Sequence, residues 1–169
     1  MYIIWLFSVF WYFQYGFEFM SRLFIPCFGY VDQMAFYGFA DGAFRHTLNL
    51  ASAAWVLYSL AHDLVSSGPV CIGPSTNNIT EYEAVIGILT EVASWYIRDL
   101  VVFMDSQLVV FHINQVYTIR NPILLHIYRR VHLLERSFEV ITYRHIPSAD
   151  NAVADSLANY ILDWYIAYS

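Results

Sequence analysis

The sequence predicts an α/β fold in which a five-stranded mixed sheet, three strands antiparallel and two parallel, is flanked by helices. Two observations carry this prediction. Three apolar segments of strand character follow one another between residues 36 and 73, joined by short connections, as in an antiparallel meander. The apolar period then alternates in the order helix, strand, two helices, strand, helix, which adds a crossover and therefore a parallel strand to that meander.

Each element has its own signal. Phe36 to Gly42 reads as the first strand, ending in Asp-Gly. Ala53 to Ser59 and Leu64 to Gly73 are the next two, with Ala61, His62 and Asp63 between them as a polar hairpin connection. Pro69 cannot donate to a ladder and puts the third strand at an edge or a bulge. At Ser75 the period changes. Thr76, Asn77 and Asn78 are good helix starters, and Ala84, Ile88, Val92 and Ala93 recur at helical spacing until about Ile97. Leu100 to Asp105 is a short continuous apolar run, the pattern of a strand buried on both faces. Ser106 to Asn114 is predicted as a short helix, and Pro122 opens a longer one through Arg136. Glu139 to Arg144 alternates as the last strand until Pro147 breaks it. Asp150 or Asn151 then caps a final helix through about Leu162, with Val153, Leu157 and Ile161 on one stripe.

The chain has 169 residues, the size of one domain. Residues 36–163 are expected to form it, with 164–169 as a tail. Residues 1–17 carry no charged side chain, at the short limit for a membrane span, but they are aromatic-rich and interrupted by Gln14 and Gly16. They lack the basic start and the small-residue cleavage site of a signal peptide. Residues 1–35 are therefore expected to be an apolar extension, packed on the domain, disordered or membrane-associated.

Charge restricts the partners. The net charge is −6, only 13% of residues are charged, and the eight basic residues are all arginine. A non-specific nucleic-acid binder normally presents a basic face, because releasing counterions from phosphates supplies most of its affinity. Five of the eight arginines nevertheless fall between Arg120 and Arg144. Two bound dications would bring −6 to about −2, so net charge does not exclude a polyanionic substrate. Cys27 and Cys71 are isolated, as in a reducing compartment; an intracellular location, cytoplasm or nucleus, is expected.

Four acids stand where chemistry would be built. Asp41 closes the first strand, Glu81 lies in the first turns of the first helix, Asp105 closes the fourth strand, and Asp155 lies one turn into the last helix. Such ends converge at one edge of an open sheet. Four carboxylates together repel unless cations sit between them, and an all-oxygen set suits Mg²⁺ or Mn²⁺ over zinc. Two such ions can activate a water and stabilise the departing oxygen of a phosphoryl displacement. Any one of these acids could equally be a turn or capping residue.

Four segments occur in order: F-A-D-G-A at 39–43, T-N-N-I-T-E-Y-E-A at 76–84, M-D-S-Q-L-V-V at 104–110, and H-I-P-S-A-D-N-A-V-A-D-S-L-A-N at 145–159. Together they resemble type 1 ribonuclease H, most closely the version in plant retroelement polyproteins, over about residues 36–163. The resemblance implies the ribonuclease H-like fold and hydrolysis of the RNA strand of RNA:DNA hybrids by a two-metal-ion mechanism. Two Mg²⁺ ions, replaceable by Mn²⁺, would sit on Asp41, Glu81, Asp105 and Asp155, with Glu81 and not Glu83 in the catalytic place. The family's mobile histidine falls on His145. Asn77, Asn78, Gln107 and Asn151 are the expected substrate contacts, and Arg120, Arg129 and Arg130 are candidates for phosphates. A monomer is expected, in contact with the hybrid and with a reverse transcriptase module of a larger polyprotein. The cellular enzymes' basic helix is absent between Asn114 and Pro122, which predicts weak substrate binding by the isolated domain. The competing reading is a catalytically silent, nucleic-acid-binding remnant of such a polyprotein.

Overall fold

The computed structural model describes residues 36–168; the expectations for residues 1–35 lie outside the described residues. Five strands form one sheet: β1 (Phe36–Arg45), β2 (Leu50–Tyr58), β3 (Leu64–Gly73), β4 (Asp99–Met104) and β5 (Val140–His145). Their spatial order is β3-β2-β1-β4-β5, with β1, β2 and β3 antiparallel and β4 parallel to both β1 and β5. This is the predicted mixed sheet, with Pro69 on an edge strand as its missing N–H requires.

Four helices complete the described fold: α1 (Asn77–Ser94), α2 (Gln107–Ile113), α3 (Pro122–Glu135) and α4 (Ala152–Tyr168), the last preceded by a 3-10 turn over Ser148–Asn151. The period-2 alternation of the strands divides them between two layers. Phe36 and Ala40 of β1 and Ala53 and Leu57 of β2 turn into the larger core with α1, α2 and α3. Ala43 and Ala54 turn the other way, onto Ala158 and Leu162 of α4. Small residues at that second contact let the helix lie close to the sheet. The Ser52 hydroxyl donates to the Ala158 carbonyl at 2.6 Å, and Arg45 pairs with Asp163 at 2.8 Å.

Some local signals play out differently from expectation. β1 runs on to Arg45, so Asp41 is an interior strand residue paired with Ala54 instead of a strand end. The turn to β2 is made without glycine, with Asn49 at φ 48°, a left-handed conformation that Asn tolerates better than most side chains. The final helix does not stop near Leu162; residues 164–168, expected as a tail, belong to it. Its apolar stripe continues beyond the sheet and leaves Trp164 and Tyr168 exposed.

Packing also explains one costly residue. Gly87 lies within α1, where glycine costs about 1 kcal/mol relative to alanine. A Cβ there would come within 2.7 Å of the Trp55 ring. Trp55 anchors the layer by donating its indole N–H to Glu91, which also accepts from the Ser66 hydroxyl.

Candidate functional site

The site forms where β1 and β4 pass the first turns of α1 and the start of α4. Asp41 is carried by β1, Asp105 follows the last residue of β4, and Glu81 sits one turn into α1. Parallel pairing of Phe39 with Phe103 brings the two aspartates level, and the rings of these residues stack at 5.3 Å beside them. Glu81 reaches the same point because Gly42 has no side chain. A Cβ at Gly42 would lie 2.6 Å from the carbonyl carbon of Thr80.

Ligand atoms of Asp41, Glu81 and Asp105 all lie within 4.8 Å of one another. At such separations two unit charges repel by about 4 kcal/mol even in a moderately polar site, several times the net worth of an ordinary hydrogen bond. Asp41 and Glu81 therefore hold their protons well above the usual carboxyl range. Burial, then the Asp105 charge, lifts Asp41 to about 7. Burial, then the charges of Asp41 and Asp105, lifts Glu81 to about 9. The Gly42 N–H partly offsets both, and Asp155 adds its charge to both. Glu81 is only 5% exposed, and its Oε2 has no hydrogen-bond partner among the described residues. A buried, unpartnered carboxylate oxygen facing two more carboxylates fits a hard divalent cation.

Asp155 is not one of the three acids that meet so closely. It is exposed on α4, and its Oδ1 accepts from Asn159 Nδ2 at 2.8 Å. His145 ends β5, opposite Met104, and its Nε2 lies 3.1 Å from the Asp105 carbonyl oxygen. A carbonyl only accepts, so Nε2 carries the proton and, in the neutral ring, Nδ1 is the free acceptor.

Asn77 and Gln107 are exposed and Asn78 half-buried, all in the first turns of α1 and α2 beside the acids. Thr76 and Ser106, at the N-caps of these helices, make no side-chain capping bond. Asn121 at the start of α3, by contrast, accepts from Ile123 N–H at 2.8 Å and from Leu124 N–H at 3.2 Å. Asn151 does not sit with the exposed amides. It is 1% exposed, with its side chain turned inward. Arg130, expected as a phosphate candidate, pairs at 2.8 Å with Glu83. That pairing ties α3 to α1 and also accounts for Glu83. Asn159 closes the last of the four segments, and its place four residues after Asp155 is the signal for its contact with that residue, whereas nothing local in the sequence signals the Gly42–Thr80 contact.

The Reverse transcriptase-like family matches residues 39–161. Ribonuclease HI of Halobacterium salinarum is 35% identical over 127 residues, which is 75% of this chain and 64% of that protein. A crystal structure of its RNase H1 superposes with a TM-score of 0.74, covering 76% of this chain and 98% of that one at 34% identity. A bifunctional protein of Mycobacterium tuberculosis is 33% identical over 125 residues, 73% of this chain but 34% of its own length. The chain thus spans about a third of the mycobacterial relative. LC11-RNase H1, solved in complex with an RNA/DNA hybrid, superposes with a TM-score of 0.73 at 26% identity, over 78% of this chain and 99% of that one. Matched by the family over residues 39–161 and superposing over most of its length on a ribonuclease H structure at 34% identity, the chain belongs to the Reverse transcriptase-like family and has the ribonuclease H fold.

Proposed function

We propose that this chain is a metal-dependent endonuclease that hydrolyses the RNA strand of RNA:DNA hybrids. The observation that carries this reading is the meeting of Asp41, Glu81 and Asp105 within 4.8 Å, on a fold shared with ribonuclease H enzymes. Asp41, Glu81, Asp105 and Asp155 would hold two Mg²⁺ ions, with Mn²⁺ as a substitute. Ions held there would supply activation of a water and stabilisation of a departing oxygen. The chain's own residues do the rest. Asp41 and Glu81 are buried and Asp105 half-buried, so the three clustered carboxylates hold a fixed set of oxygen donors at one edge of the sheet. His145 offers Nδ1 as a proton acceptor at the rim, its ring anchored on the Asp105 carbonyl. Asn77, Asn78 and Gln107 present amides that can read the 2′-hydroxyls separating RNA from DNA. The catalytic unit is residues 36–168, a monomer of retroelement origin that works beside a reverse transcriptase module; the four sequence segments and the family's description support that origin.

The test is cleavage of a labelled hybrid, duplex DNA and single-stranded RNA with and without Mg²⁺. Cleavage of the hybrid alone, Mg²⁺-dependent and lost in Asp105→Asn, is expected. Activity that survives in Asp105→Asn would sink the reading. A second reading, a silent hybrid-binding remnant, is favoured by the lysine-free composition and the charge of −6. It requires binding of the hybrid without turnover in the same assay.

A further inference from the structure

We propose that Asn151 and Asn159, four residues before and four after Asp155, are positioning residues that orient the carboxylates of Asp105 and Asp155 and so set the affinity of the site for divalent ions. The inference rests on the metal-dependent reading above and extends it to two residues that touch neither metal nor substrate.

Asn151 closes the 3-10 turn ahead of α4 and is almost wholly buried. Its Nδ2 lies 3.2 Å from the Ala40 carbonyl oxygen and 3.3 Å from Asp105 Oδ1. Both partners only accept, so this end of the amide must be the NH₂, and its two protons serve the two partners. The amide therefore joins three elements: the start of α4, β1 one residue before Asp41, and the carboxylate that follows β4. Its Oδ1 is buried without a partner among the described residues. Burying an unpaired amide oxygen costs about 1–3 kcal/mol, so this position is unfavourable for stability unless the donor end is needed where it is. An isosteric aspartate would turn an oxygen toward both acceptors and repel Asp105.

Asn159 does for Asp155 what Asn151 does for Asp105. From one turn further along α4 its Nδ2 donates to Asp155 Oδ1 at 2.8 Å and to the Asp155 carbonyl at 3.0 Å. One oxygen of Asp155 is thereby held against its own helix. Residues 155 and 159 share one stripe of α4 because four residues make slightly more than one helical turn, and Asn151 lies just ahead of that helix. Two acids that start from different elements, β4 and α4, are thus contacted from the 3-10 turn and the helix that follows it. Groups that orient ligands in this way typically change metal affinity by about 10–100-fold when removed.

The experiment is a Mn²⁺ titration of the purified full chain followed by the spectrum of free Mn²⁺, paired with thermal unfolding in a chelator. Asn151→Ala and Asn159→Ala are each expected to weaken Mn²⁺ binding by about 10–100-fold. Asn159→Gln, which keeps an amide within reach of Asp155 at the same i, i+4 spacing, should restore it. Asn159 is half-exposed, so its two variants carry the test even if Asn151→Ala fails to fold. Unchanged Mn²⁺ affinity in the folded variants, whatever their melting temperatures, overturns the positioning role. If the unmodified chain binds no Mn²⁺, the proposed function falls and this role with it; if it binds and the variants bind equally, only this role falls.

Discussion

Gly42 and Thr80 meet backbone to backbone, so closely that a single added carbon at residue 42 would stand 2.6 Å from the Thr80 carbonyl carbon. This contact lets the first turn of α1 close onto β1, and the next residue, Glu81, is thereby delivered beside Asp41. The glycine of the Asp-Gly pair is required by that packing and not by a turn, since β1 continues through it.

Gly42→Ala should therefore push the start of α1 away from the sheet. Overpacking of this kind costs about 1–3 kcal/mol. A lowered melting temperature together with weakened Mn²⁺ binding is expected; a variant that loses stability and binds Mn²⁺ normally would show that Glu81 is not aimed by this contact.

Glu83 and Arg130 form an exposed pair between α1 and α3, outside the acidic cluster. Exposed pairs contribute about 0–1 kcal/mol. Glu83→Gln is accordingly expected to leave hydrolysis unchanged and stability nearly so, whereas Glu81→Gln abolishes hydrolysis. A kinetic comparison of the two variants checks the choice between neighbouring acids of one motif.

The raised carboxyl groups fix the sign of the metal-free protein's pH dependence. Asp41 and Glu81 ionise at about 7 and about 9 in the folded chain, but near 4 when unfolded. Between those values the folded state holds more protons than the unfolded chain, so stability declines as pH rises. In a chelator the melting temperature should fall steadily from about pH 5 to pH 9. Divalent cations replace the protons, and the gain in melting temperature on adding Mg²⁺ should grow with pH over that window. A flat melting profile in chelator would contradict the buried-carboxylate account.

His145→Ala should slow hydrolysis while sparing the ions, because the ring contacts the Asp105 carbonyl and not its carboxylate. General acid–base groups contribute about 10²–10⁴-fold, and a loss of at least about 10²-fold in kcat with unchanged Mn²⁺ affinity is expected. Single-turnover and steady-state rates separate a proton-transfer role from one in product release.

Much of this site could be read from the sequence because its signals are local. Pro69 marks an edge strand by what its nitrogen lacks. Pro122 behind Asn121 marks the start of a helix, and the continuous apolar run before Asp105 marks a strand buried on both faces. The words around the four acids nominated them and separated Glu81 from Glu83, and three of the four, Asp41, Glu81 and Asp105, do meet. Those features depend on neighbours in the chain, and the chain states its neighbours outright.

Other features depended on which surfaces meet. Asp41 reads as a strand end because Gly42 resembles a turn, yet the close packing of Thr80 keeps β1 going. Asn151 reads as a cap or a substrate contact; only the docking of α4 across β1 and β4 turns it inward onto Asp105. Arg130 reads as a free charge until α3 lies against α1 and supplies Glu83. The sequence by itself determined the order of the elements and the fold, and nominated four acids. The tertiary structure alone decided which three acids crowd together, which amides hold them and which arginine is already engaged, because side-chain period reports a face but not what that face will touch.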